Sequence, residues 1–230
     1  MTASVVTFSV ALGSGGFEVA RSVAEALKYE YYYSELTLQI AREVGASPGE
    51  VASAVERLPS LAERISTQLA FSASVAATSE AMAEPTADSL TASLRALSTD
   101  HYHKLIEQLV SQLAERGRAV IVGHASQVTL RDDPGVLKVL IHGSPQRRMK
   151  RFAEERGVTL EEAQTTIERS DRDRANFFRR VHHVDWLSAR LYDLCVNSDS
   201  VPVKVATALI AAAADKINAM VPEKSTESPA

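Results

Sequence analysis

The chain has 230 residues, 45% of them hydrophobic and only 6% aromatic, so it can bury a large core built mainly from Ala, Val and Leu, which disfavours both bulk disorder and an all-β fold. Its 25 basic and 29 acidic side chains leave a formal net charge of −4, which removes the attraction that duplex nucleic acid depends on. The one cysteine, Cys195, can form neither an internal disulfide nor a zinc site, and the segment after Met1 has neither a basic leader nor a spanning apolar run; the expectation is a cytoplasmic protein that touches no membrane.

Five short apolar runs read as strands: Val5 to Val10, Tyr29 to Tyr33, Ala119 to Val122, Val136 to His142 and Leu191 to Val196. Helical pattern separates them. Continuous apolar strands alternating with helices predict an α/β fold, a doubly wound, five-stranded parallel sheet, because parallel strands need helical crossovers. The first strand runs into Gly13-Ser14-Gly15-Gly16 and then a helix expected to turn Val19, Val23, Ala26 and Leu27 inward. Glycines let a turn point its N–H groups around an anion, and the following helix aims its positive end at the same place. The same glycines would also serve a strand-to-helix turn that only needs close packing. A nucleotide loop ordinarily continues with Lys and then Ser or Thr; here Phe17 and Glu18 follow. Arg21, one turn further on, either leans toward the loop or is a plain surface cation.

The stretch from Ser34 to Leu97 interrupts the alternation. Val75, Met82, Leu90, Leu94 and Leu97 keep roughly helical spacing, so residues 34–97 read as a helical insertion between core segments 1–33 and 98–220, and the polar residues 221–230 as a disordered tail. Ser47-Pro48-Gly49-Glu50 and Thr159-Leu160-Glu161-Glu162 carry capping signals for helix starts, and Gly157 is positioned to close a basic helix from Pro145 to Arg156. Residues 1–100 hold 6 basic and 12 acidic side chains, but residues 101–200 hold 16 and 14, so cationic chemistry belongs to the second half.

There, Arg148 follows a strand, and Arg169, Arg172, Arg174, Arg179 and Arg180 cluster in ERSDRDRANFFRR. Arginine forks bind phosphate oxygens bidentately, and a segment carrying them can close over a nucleotide. The interleaved Glu154, Glu155, Glu161, Glu162, Glu168, Asp171 and Asp173 could equally pair those arginines into a solvated helix. His101 and His103 lie two apart on one helix and so face different directions, which makes a shared metal improbable. Cys195 on an apolar strand reads as buried and inert, Tyr31 to Tyr33 as half core and half edge, and Trp186 as a packing anchor.

The order of ALGSGGFEVA, YEYYYSEL, AVIVGHASQVTLRDDPGVLKVLIHGSPQRRMKR, SDRDRANFFRR and VDWLSARLYDLCVNSDSV resembles the cytidylate-kinase-like family of P-loop nucleoside-monophosphate kinases over most of the chain. The resemblance implies a P-loop kinase fold and ATP with Mg2+. It puts donor phosphates at Gly13, Ser14, Gly15, Gly16 and Arg21, and a catalytic lid at Arg172 and Arg174 with Asp185. Acceptor binding falls to His124, Arg131, Asp132 and Arg148, with the helical insertion as acceptor lobe. It further implies a small-molecule nucleotide as partner. Val10, Phe17, Ser34 and His124 depart from the family pattern, and the histidine weakens the acceptor-phosphate site because it is only partly charged at neutral pH. Two functions follow: a phosphotransferase moving the γ-phosphoryl group of ATP to a nucleoside monophosphate or similar small acceptor, or a catalytically impaired nucleotide- or anion-binding relative acting as a regulatory module. In the second, apolar stripes of the insertion would serve a homodimer or a partner helix.

Overall fold

A computed structural model describes residues 5–33 and 99–220. The described part of the compact unit considered below comprises residues 5–33 and 109–220. The expected insertion at 34–97, the Ser47 capping signal and the 221–230 tail lie outside the described residues.

The elements in chain order are strand β1 (Val5–Val10), helix α1 (Gly16–Leu27), β2 (Glu30–Tyr32), α2 (Thr99–Arg116), β3 (Ala119–Val122), the single turn α3 (Ser126–Thr129), β4 (Val136–His142), α4 (Pro145–Arg156) and α5 (Leu160–Phe177). A π-helical turn (Phe178–His182), a 3-10 turn (Ala189–Leu191), β5 (Leu194–Asn197) and α6 (Val203–Met220) complete it. The five strands form one sheet in the order β2-β3-β1-β4-β5, and every pairing is parallel. Strands β1 and β4 sit at the centre with all their residues buried except His142, which is why both read as mainly apolar runs, interrupted by Thr7 and Ser9 in β1 and Lys138 in β4. Because the strands are parallel, the turns after β1, β3, β4 and β5 all emerge at one edge, the usual place for ligands in an open α/β sheet.

Alternation along the strands divides the core into two layers. Val6, Phe8, Val10, Leu137, Val139 and Ile141 face a cluster completed by Val19, Ala20 and Val23 of α1 and Ala206, Ile210 and Ala214 of α6. On the opposite face Ala11, Ala125 and Leu140 pack with Phe178, Trp186 and Tyr192. The buried stripe of α1 is Val19, Ala20, Val23 and Ala24. Ala26, expected inward, is exposed and Leu27 only half-buried, because the helix rotates so that small residues meet the sheet at close range. Gly16 shows how close: a Cβ there would stand 2.6 Å from Val10 Cγ1.

Strand β2 is shorter than the expected Tyr29–Tyr33. Leu191 belongs to the 3-10 turn, so β5 begins three residues later than the apolar run and extends to Asn197. Cys195 lies on the exposed face of this edge strand, contrary to the buried position expected, because none of the described elements covers that side of β5 at that residue. Trp186 is buried at 2% exposure, as a packing anchor should be. Gly157 closes α4 with φ +65°, and Thr159 opens α5 with a capping box, its side chain accepting from the Glu162 N–H while Glu162 accepts from the Thr159 N–H.

Candidate phosphate-loop site

The turn between β1 and α1 is built by its glycines. Gly13 and Gly15 take φ of +75° and +73°, conformations that cost little only without a Cβ. At Gly13 the space is closed as well, since a Cβ would lie 2.5 Å from the Arg148 carbonyl oxygen. The Ser14 N–H donates to Ala11 O at 3.0 Å, and the buried Ser14 hydroxyl accepts from the Gly16 N–H at 3.3 Å. Among the described residues no acceptor meets the N–H groups of Gly13, Gly15 or Phe17. These amides at the positive end of α1 form a concave donor set suited to an anion.

Three arginines hold the outer side of this turn by its carbonyls. Arg148 donates from Nη1 to Leu12 O at 3.1 Å and from Nε to Gly143 O at 3.1 Å. Its two terminal nitrogens also meet both oxygens of Asp171, at 3.1 and 2.5 Å. Arg151 donates to Gly13 O at 3.2 Å and to Ser198 Oγ at 3.5 Å. Arg174, from the last turn of α5, donates to Val10 O and lies 4.9 Å from the centre of the Trp186 ring. Burial pulls the Arg174 guanidinium below its ordinary pKa, opposed chiefly by the Asp171 carboxylate; an arginine remains cationic through such a shift. Beneath Arg174, the buried Tyr192 hydroxyl donates to Trp186 O at 2.6 Å and accepts from Gln127 Nε2 at 3.3 Å.

A cleft of about 160 Å³ opens beside the loop, lined by Ser14, Gly15, Glu18, Arg151, Ser198 and Val201 among others. Its far wall is the turn after β5, tied to the turn after β4 where Asp199 Oδ2 accepts the Ser144 N–H at 2.9 Å. Arg147 also donates to Asp199 O at 3.1 Å. The Ser144 hydrogen bonds hold the Asp199 carboxyl below the usual carboxylate range. The carboxylate thereby caps α4, the helix that carries Arg148 and Arg151, where a negative charge favours the helix dipole.

The turn after β3 is strained: Gly123, His124 and Ala125 all have positive φ, at 80°, 56° and 53°. His124 Nε2 lies 3.2 Å from Tyr33 O. Burial lowers the His124 pKa more than that carbonyl raises it, so the ring is neutral at pH 7.

Residues 5–200 match the cytidylate kinase-like family. The chain belongs to that family. No functionally curated protein matches it. An uncharacterized protein from Eubacterium ventriosum has a similar solved structure, with a TM-score of 0.60 at 20% identity over 92% of this chain and 98% of that one. Shikimate kinase from Bacteroides thetaiotaomicron aligns with a TM-score of 0.50 at 12% identity, over 92% of this chain and 98% of its own. A gluconokinase from Sinorhizobium meliloti gives 0.50 at 16%, over 96% and 98%. At these identities the likeness is one of fold, and the fold is that of the P-loop kinases.

In this cytidylate kinase-like chain the residues singled out in the sequence do not all gather at one place. Gly13, Ser14, Gly15, Gly16, Arg148 and Arg174 converge on the β1–α1 turn. Arg21 is exposed and its guanidinium lies 5.8 Å from the Tyr31 ring centre, and Arg172 is exposed on α5. Arg131 and Asp132 form an exposed pair at 3.3 Å, and exposed Asp185 accepts the Leu187 N–H at 3.1 Å. Arg148 is buried with its fork committed to carbonyls and Asp171, which makes it a support of the loop rather than a free acceptor-binding cation. Arg151, Ser198 and Asp199 were not among the residues singled out. Only the run GSPQRRMKR, with arginines three apart on one helix face, hinted at the first of them.

Proposed function

We propose that the chain binds the phosphates of ATP at the amides of Gly13, Gly15 and Phe17 and transfers the γ-phosphoryl group to a small acceptor, a nucleoside monophosphate by family resemblance. The observation that carries this reading is the set of outward-held amides at the start of α1, with the guanidinium groups of Arg151 and Arg174 on the same turn. Phosphoryl transfer asks a protein mainly for positioning and for positive charge near the transferring group. The loop has no lysine at Phe17, so the arginines are the available cations. Arg174 would serve by leaving Val10 O for a phosphate oxygen, and exposed Arg172 by closing from α5.

Mg2+ is an ion held largely by substrate phosphates and waters with one or two carboxylates. Glu18, which lines the cleft, is a carboxylate that would hold the ion there. When bound, Mg2+ would neutralise the charge of the β- and γ-phosphates.

A second reading, a nucleotide-binding relative with impaired catalysis, is favoured by one observation: the Phe17 ring packs at 4.9 Å against Tyr33 where the customary ammonium would stand. A coupled assay with magnesium-ATP against a panel of nucleoside monophosphates separates the two. Turnover with one acceptor supports the transferase. ATP binding by calorimetry with no turnover for any acceptor supports the impaired relative, and no ATP binding at millimolar concentration overturns both.

A further inference from the structure

Arg148 is 4% exposed, yet its guanidinium serves three segments at once. It takes the carbonyl of Leu12 in the phosphate loop, the carbonyl of Gly143 after β4, and both carboxylate oxygens of Asp171 on α5. A buried guanidinium is tolerable only when its charge is compensated, and Asp171 is its ion-pair partner, at 2.5 Å. Carbonyl and N–H of a trans peptide point in opposite directions. Pinning Leu12 O on Arg148 therefore turns the Gly13 N–H away from α4 and leaves it without an internal acceptor among the described residues.

We infer that Asp171 is a positioning residue for anion binding: by holding the Arg148 fork in its plane it fixes the Leu12–Gly13 peptide, and so couples the seating of α5 to the aim of the phosphate-loop amides. The inference rests on the reading of this loop as a phosphate site. Without the carboxylate, Arg148 carries a buried, uncompensated charge and its side chain swings toward solvent, releasing Leu12 O. A purely structural ion pair could likewise be exchanged for apolar side chains of similar volume with no loss of fold, but the exchange would leave the loop amides and ligand affinity unchanged.

The test compares the full-length wild type with Asp171→Asn and with the double variant Arg148→Met/Asp171→Leu. Amide NMR without ligand, thermal unfolding, and calorimetric titration with magnesium-ATP and inorganic pyrophosphate are read for each. The expected result is a folded double variant with near-wild-type Tm, shifted Gly13 and Ser14 amide resonances, and affinity for both ligands weaker by about tenfold or more. Asp171→Asn, which keeps one acceptor oxygen, should fall between the two proteins. If either variant folds with the Gly13 resonance unmoved, or binds as tightly as wild type, the inference is overturned. A double variant that fails to fold while Asp171→Asn binds normally also overturns it. Failure of the wild type to bind either ligand removes the phosphate-site reading instead, whereas the ligand-free amide shifts still report on Asp171.

Discussion

At the scale of single residues, the β1–α1 turn allows little substitution. Gly13→Ala would place a methyl group 2.5 Å from the Arg148 carbonyl oxygen at a φ of +75°, combining backbone strain with overpacking. The expected cost is about 2–4 kcal/mol, read from denaturant midpoints, with loss of ATP binding in calorimetry. Phe17→Lys works in the other direction for function. It gives up a ring contact worth about 0.5–1.5 kcal/mol and supplies the missing ammonium, so magnesium-ATP affinity should rise while Tm falls slightly; an unchanged affinity would show that the loop does not face the terminal phosphates. The glycines of this turn were legible in the sequence because glycine takes left-handed conformations with the least strain and a cluster of them between a strand and a helix marks such a turn. The roles of Arg148 and Arg151 were not. Arg148 and its Leu12 acceptor are 136 positions apart, the acceptor is a main-chain oxygen common to every residue, and no spacing rule encodes such a pairing.

At the scale of elements, helix ends were read more reliably than strand ends. The Thr159 capping box and Gly157 act through neighbours three or four residues away, so local sequence suffices to specify them. Thr159→Ala should lower stability by about 1 kcal/mol, measured by urea unfolding, without moving ATP affinity, since the box lies at the far end of α5 from Arg174. The start of β5 was read three residues too early because it depends on pairing with β4, a long-range fact, and because the apolar Leu191 is used by a 3-10 turn. The Asp199 cap gives the β4–α4 junction a pH dependence. Its carboxyl has a lower pKa in the fold than in the unfolded chain, so its stabilisation is complete above the unfolded value and disappears as pH falls through the folded one. Asp199→Asn should therefore flatten the acid limb of a Tm-against-pH profile below the usual carboxylate range and lower Tm at neutral pH. A profile identical to wild type would mean that Ser144 gains nothing from the charge.

At the scale of the whole molecule, the parallel sheet follows from alternating apolar runs and helices, whereas the acceptor function does not follow from any of the described geometry. Neutral His124 stands at the strained turn after β3. Trp186 is the one tryptophan in the chain and lies under Arg174, so the protein carries its own optical reporter. Emission should shift to the red on unfolding, and nucleotide binding that lifts Arg174 from the ring should change intensity in the folded state. An Arg174→Ala variant would abolish that second response and leave the first.

Because Arg148 spends its donors on oxygens of the protein itself, its removal leaves behind a hollow shaped for a flat, forked cation. In an Arg148→Gly variant, guanidine hydrochloride at low concentration would fill that hollow and raise the melting temperature before higher concentrations unfold the chain. A denaturant would then serve first as a spare part.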